Sequence, residues 1–233
     1  MLVRIASALA ALVLSIPTPA ASAFPREAAE AAVLADTGAA APANALALNA
    51  LRAGLRPGVL ELALAAHARV EGSGQAIRPI LTVIDFSLRS RDRRLWVLDL
   101  ERGEILAHEL VAHGRNSGDD QASQFSNRHG SYQSSLGTFV TGSTYHGKHG
   151  LSLRLRGMDG TLNDQAEARA IVVHGAEYVN EGIIEQLGRL GRSQGCPALS
   201  PEAAPRVIEL IRDGTVLFAH FGTVPAGTSP AAS

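Results

Sequence analysis

Seven short apolar runs divide the chain after residue 78: ILTVIDF (80–86), RLWVLDL (94–100), EILAHELVA (104–112), LGTFVTG (136–142), LSLRLRG (151–157), RAIVVHG (169–175) and TVLFAHF, which ends at Phe221. Runs of this length, rich in branched and aromatic residues and set off by Gly, Asp and Asn, read as strands. Glu101-Arg102-Gly103 between the second and third suits a hairpin turn. Two segments among the strands have helical spacing instead. One, near 180–190, puts Ile183, Ile184, Leu187 and Leu190 on one face and stops at Gly191. The other has Ser200 as cap and Pro201 at the first helical position, turns Val207, Leu210 and Ile211 inward, and ends at Gly214. These residues therefore predict a mainly β domain over 78–222, mostly antiparallel, with flanking helices.

Upstream the composition changes. Residues 24–71 are dominated by Ala and Leu, and 43–53 and 57–70 read as two short helices, with Leu60, Leu64 and Ala68 at helical spacing and Gly54 and Gly58 as punctuation. EGSGQ at 71–75 reads as a hinge, so 24–75 is expected to form a small helical arm. The opening MLVRIASALAALVLSIPTPAASAF has the layout of a secretory signal peptide, with cleavage expected after Ala23. Its apolar run, from Ile5 to Ile16, is about 12 residues, short of the roughly 20 that span a bilayer. No membrane span is expected after cleavage. At the other end, 223–233 reads as a disordered tail. Of 21 Lys and Arg, Arg4 lies in the leader, which leaves 20 against 22 Asp and Glu. That balance gives no general field for nucleic acid or an anionic membrane surface.

Cys196 is the single cysteine of a chain expected to be exported. It has no intramolecular partner, so it is a buried filler, an intermolecular bridge or a reactive thiol. Gly191 and Gly195 before it and the helix cap Ser200 after it place it in a turn, where chemistry is displayed, and not on an apolar face. A thiol of ordinary pKa is only about 3 per cent ionised at pH 7, so a nucleophile needs a base or a cation beside it. His67, His108 and His220 read as packed or half-exposed residues of the arm and strands. His174 ends the apolar run Ala170-Ile171-Val172-Val173 and is followed by Gly175, which suits a ring aimed from a strand end into a cleft.

HG at 174–175 followed by SxGC at 193–196 resembles the catalytic domain of the YkuD-type L,D-transpeptidases, bacterial cell-wall enzymes. VIDFS (83–87), LVAHGRNSG (110–118), FSNRHGSYQSSLGTFVTG (125–142), YHGKHGLSLRLRG (145–157), ND (163–164), RAIVVHGAEYV (169–179) and GRSQGCPAL (191–199) are similar, in order, to its murein L,D-transpeptidase branch. The likeness covers roughly residues 80–220. It implies a β-sandwich or barrel and a Cys196–His174 pair. Cys196 would form a thioester with a peptidoglycan stem tetrapeptide and pass it to an amine, making a 3→3 crosslink, or to water. Backbone N–H groups around Gly195 and Cys196 would hold the oxyanion, Ser193 would support the turn, and a backbone carbonyl would orient the histidine. No cofactor is implied. The best-studied members have an arginine two residues after the cysteine. Here Pro197 and Ala198 follow, and Arg192 is the candidate for that substrate role.

Lys148, the single lysine, sits in Tyr145-His146-Gly147-Lys148-His149-Gly150. Tyr145, Lys148 and His149 could hold stem-peptide carboxylates. Two other readings remain open at this point: a zinc-dependent peptidase using His146, His149, His174 and Cys196, and a non-catalytic wall-binding domain.

Overall fold

The strand β1, Ile80–Asp85, is buried along its whole length because both of its faces are covered. In the computed structural model, which describes residues 42–75 and 77–224, Ile80 and Ile84 face one core with Leu95 and Val97, while Leu81 and Val83 face a second with Trp96 and Leu98. That is the two-residue alternation of a pleated strand. Each face must then find its own cover, and helices supply it. The leader, residues 24–41 of the expected arm and the tail beyond 224 lie outside the described residues.

The remaining strands are β2 Leu95–Asp99, β3 Glu104–Glu109, β4 Gly137–Gly147, β5 Gly150–Gly157, β6 Val172–Gly175, β7 Ala198–Leu199 and β8 Val216–His220. They form one sheet in the order β3-β2-β1-β8-β4-β5-β6-β7. The pairs β1–β8 and β6–β7 are parallel and the others antiparallel. Beyond β3, the Ala112 N–H donates to the Ala198 carbonyl at 2.8 Å, which brings the β7 edge back toward the β3 edge. The result is a nearly closed barrel, mainly β with a few helices, as the strand pattern predicts. All seven sequence runs contain a strand. β7 was not anticipated, because two residues are too few for any pattern.

The helix α1, residues 42–52, and α2, Pro57–Gly72, cover one face of the sheet. Leu46, Ala50, Leu55, Val59, Leu60, Ala63 and Val70 join Trp96 and Val216 in one core. The Arg56 fork grips the fully buried Asp85 carboxylate at 2.7 and 3.0 Å and so ties the start of α2 to the end of β1. Leu64 and Ala68, expected beside Leu60 on the inner face, are exposed. Successive four-residue steps overshoot a 3.6-residue turn by about 40° each, so only the first stays on the buried stripe.

Covering the other face, α5, Ala203–Ile211, buries Ala204, Val207, Ile208 and Ile211. Leu210 is only half-buried, and the helix starts two residues later than expected, although Ser200 Oγ still accepts the Ala203 N–H at 3.1 Å. The helix near 180 also needs correction. It spans Glu181–Leu187 (α4), capped by the left-handed Gly188 and not by Gly191, and none of its residues is buried. Leu187 is exposed, whereas Leu190, past the cap, enters a core with Ala112, Val179 and Ala198. A four-residue helix, α3 Gly160–Asn163, precedes β6.

Candidate active site

β6 and β7 run in parallel, with His174 level with Ala198. Cys196 lies in the bend just before β7, two residues ahead of Ala198. His174 and Cys196, 22 positions apart in sequence, are thus carried by neighbouring segments. They line one cavity of about 640 Å³.

His174 is almost fully buried, and its Nδ1 lies 2.8 Å from the Gly175 carbonyl. A carbonyl only accepts, so Nδ1 carries the hydrogen and Nε2 is left as the basic nitrogen. Burial is the main cause of a lowered His174 pKa, opposed by the Gly175 carbonyl, with His149 and Lys148 adding to the lowering. Burial pushes the Cys196 thiol up, opposed by the Val172 backbone, Arg169 and Lys148. Both shifts favour a neutral thiol and a neutral imidazole. In this state the thiol hydrogen bonds to the Ala170 carbonyl, with sulfur and oxygen 3.6 Å apart.

The turn before Cys196 is held from inside. Ser193 Oγ accepts the Gly195 N–H at 3.0 Å and donates to the Cys196 carbonyl at 2.6 Å. Gly195, expected as an oxyanion donor, thus has its N–H engaged, whereas the hydrogen bonds of the described residues include none from the Cys196 N–H. Gly195 is needed for its backbone: at φ +122° it passes so close to the 126–135 loop that a methyl there would lie 2.8 Å from the Gln133 carbonyl.

The chain segment after β3 braces the same turn. Ser193 and Arg115 exchange backbone bonds with it, the Ser193 N–H reaching His113 O at 2.9 Å and the Arg115 N–H reaching Ser193 O at 2.8 Å. His113 is fully buried and its Nδ1 stands 2.8 Å from Arg94 Nη2, so it accepts there and must be neutral. The Arg94 fork also donates to the carbonyls of Val111 and Leu88.

Residues 51–220 match the sequence profile of the L,D-transpeptidase catalytic domain. The chain belongs to this family. Among solved structures, the L,D-transpeptidase from Mycobacterium smegmatis is 16% identical, with 61% of this chain and 58% of that one covered and a TM-score of 0.38. The helical cell shape determining protein Pgp2 from Campylobacter jejuni is 15% identical over 64% and 50%, with a TM-score of 0.40. The L,D-transpeptidase (Yku) from Stackebrandtia nassauensis is 17% identical over 66% and 60%, with a TM-score of 0.36. The chain spans less than two thirds of each of these proteins. No curated protein matches it.

Within this L,D-transpeptidase domain, Cys196, His174, Ser193, Tyr145, Lys148, His149 and Arg192 all line the one cavity. Lys148 and His149 form the two-residue tip of the β4–β5 hairpin, where Gly147 pairs with Gly150. From that tip His149 folds onto His174. Tyr145 packs under Arg154, whose guanidinium lies 4.4 Å from the ring centre. Arg192 donates to Gly118 O at 3.0 Å and pairs with Asp119 at 3.2 Å, which fixes it at the cavity wall. The zinc set does not assemble: among the described residues, no three His, Cys, Asp or Glu side chains are grouped to hold a metal ion. Nor, among them, is any helix long and apolar enough to cross a membrane.

The sequence reading missed Tyr132, Arg169 and Tyr178, which also line the cavity. Tyr178 is pushed up to about 12, first by burial and then by Cys196. Its one sequence signal is proximity to His174, four residues before it. Among the described lining residues there is no carboxylate, while Lys148, Arg169 and Arg192 are cationic.

Proposed function

We propose that the chain is an exported, periplasmic enzyme of peptidoglycan that uses Cys196 as nucleophile and His174 as base. The observation that carries this reading is the shared cavity of the thiol and an imidazole whose Nδ1 is committed to Gly175. The thiol turns from the Ala170 carbonyl toward Nε2, gives up its proton, and attacks the carbonyl between the third and fourth residues of a stem tetrapeptide. The proton passes from His174 to the departing amine, D-alanine leaves, and a thioester remains on Cys196. An amine from a second stem resolves the thioester into a 3→3 crosslink and restores the thiol. Water in place of the amine gives a tripeptide, the L,D-carboxypeptidase outcome. The Cys196 N–H is the donor best placed for the oxyanion of each step, since the Gly195 N–H is spent on Ser193.

The cationic lining suits a substrate with free carboxylates, for which Tyr145, Lys148, His149 and Arg192 are the binding candidates. Incubation with purified disaccharide-tetrapeptide, followed by mass analysis of the products, tests the reading. Crosslinked dimers indicate transfer and tripeptides indicate trimming, both lost in Cys196→Ala. Unchanged substrate with folded protein overturns it.

A further inference from the structure

We propose that Arg169 is a positioning residue of this site: its guanidinium, satisfied by neutral acceptors alone, clamps the 126–135 loop over the cysteine turn and holds an unpaired positive charge beside Cys196. The inference rests on Cys196 as the nucleophile. Nη1 donates to Ser126 O at 2.6 Å and to Ser135 Oγ at 2.5 Å. Nη2 donates to Gln133 O at 2.7 Å and to Ser131 Oγ at 3.2 Å. All four acceptors lie on one loop, and that loop carries His129, Gly130 and Tyr132 into the cavity wall. On its other side the guanidinium meets the cysteine turn: a methyl on Gly195 would come 3.4 Å from Nη2. The next residue, Ala170, supplies the carbonyl on which the thiol rests.

Among the described residues Arg169 has no counter-ion, unlike Arg192 on the same cavity wall. Arg192 and Arg189 pair with Asp119, and Arg206 with Glu109. Among the described residues no carboxylate pairs with Arg169, which is half-buried. A desolvated cation without an anion is costly, and the cost is reduced when a negative charge forms next to it. Here that charge is the thiolate, or the oxyanion that follows it. In keeping with this, burial lowers the Arg169 pKa and Cys196 raises it, while Arg169 acts to lower that of Cys196. The other titratable and charged groups on the cavity wall are Lys148, a second cation; Tyr178, neutral at physiological pH; and His129, His149, His174 and Arg192.

The pH dependence of Cys196 alkylation by iodoacetamide in the full chain tests the assignment, because alkylation reads the thiolate without any turnover. Arg169→Gln is expected to alkylate roughly threefold or more slowly at pH 7.5, equivalent to half a unit or more in the thiol midpoint, and to recover at high pH. Arg169→Lys, which keeps the charge and loses the fork, should stay near the wild-type profile. If the Gln variant does not fold, Ser131→Asp carries the test, with Ser131→Asn as its control. A carboxylate against Nη2 offsets the charge while Arg169 stays in place, and should slow alkylation near neutral pH in the same direction. Profiles of folded Arg169→Gln or Ser131→Asp that superimpose on wild type overturn the proposal. A shifted profile in a chain that leaves stem peptides untouched instead overturns the proposed function and keeps the role of Arg169.

Discussion

The His149 ring lies stacked on His174, with centroids 4.4 Å apart and planes inclined by 24°. The stack covers one face of the buried His174 ring. Burial, and after it the neighbouring His149 and Lys148, hold the His174 pKa below its ordinary value. The neutral ring is the form that takes a proton, so activity should fall only as pH drops through that lowered pKa. In His149→Ala, water reaches His174 and one repulsive neighbour is gone. Both changes raise its pKa, and the acidic limb of the kcat/KM profile should move to higher pH. A limb that stays in place or moves lower contradicts this role for the stack.

His113 gives stability a pH dependence of its own. Burial, and then the Arg94 guanidinium, bring its pKa from 6.5 down to about 4. The unfolded chain takes up this proton near pH 6.5 and the folded chain only near 4, so the contribution is complete above about 6.5 and is lost as pH falls toward 4. A shift of this size is worth on the order of 3 kcal/mol, and the His174 shift acts with the same sign. Urea midpoints at pH 7 and pH 4.5 should differ accordingly. His113→Gln should flatten the difference, and an unchanged difference in that variant contradicts the assignment.

Ser193 holds the turn before Cys196 through one hydroxyl that both accepts and donates. Ser193→Ala leaves the Gly195 N–H and the Cys196 carbonyl without it, at a cost of about 1–3 kcal/mol. Turnover should fall by about tenfold or more as the turn loosens. Ser193→Thr keeps the hydroxyl and should recover part of both. Wild-type thermal stability and turnover in Ser193→Ala would show the hydroxyl to be dispensable.

On α2, Leu60 and Leu64 differ more than their shared residue type suggests. Leu60→Ala removes a side chain that is 6% exposed and should cost about 2–4 kcal/mol. Leu64→Ala, at 37% exposure, should stay within about 1 kcal/mol. Denaturant unfolding of the two variants checks the direction of the helix, and equal losses contradict it.

The same comparison marks how far the sequence alone reaches. Strands β1, β2 and β8 were legible as unbroken apolar runs because two helical layers cover their sheet. The inner face of α2 was misread because Leu, the stronger apolar signal, occupies outer positions while the buried stripe is filled partly by Ala63 and Ala66. In the site, glycines and a strand end singled out Cys196 and His174 one by one. That they line one cavity depends on the pairing of β6 with β7, which is two residues long. Arg169 was invisible for a related reason: its acceptors are carbonyls and hydroxyls more than thirty positions away, and backbone acceptors leave no mark on residue type.

A thioester at Cys196 is the central step of the proposed reaction, and its most direct measurement is the intact mass of the full chain quenched in acid during incubation with disaccharide-tetrapeptide. The predicted result is a single covalent species heavier by the substrate less D-alanine, mapped by peptide fragmentation to Cys196, and missing in Cys196→Ala. Turnover by wild type without that species, or an adduct that persists in folded Cys196→Ala, would contradict it.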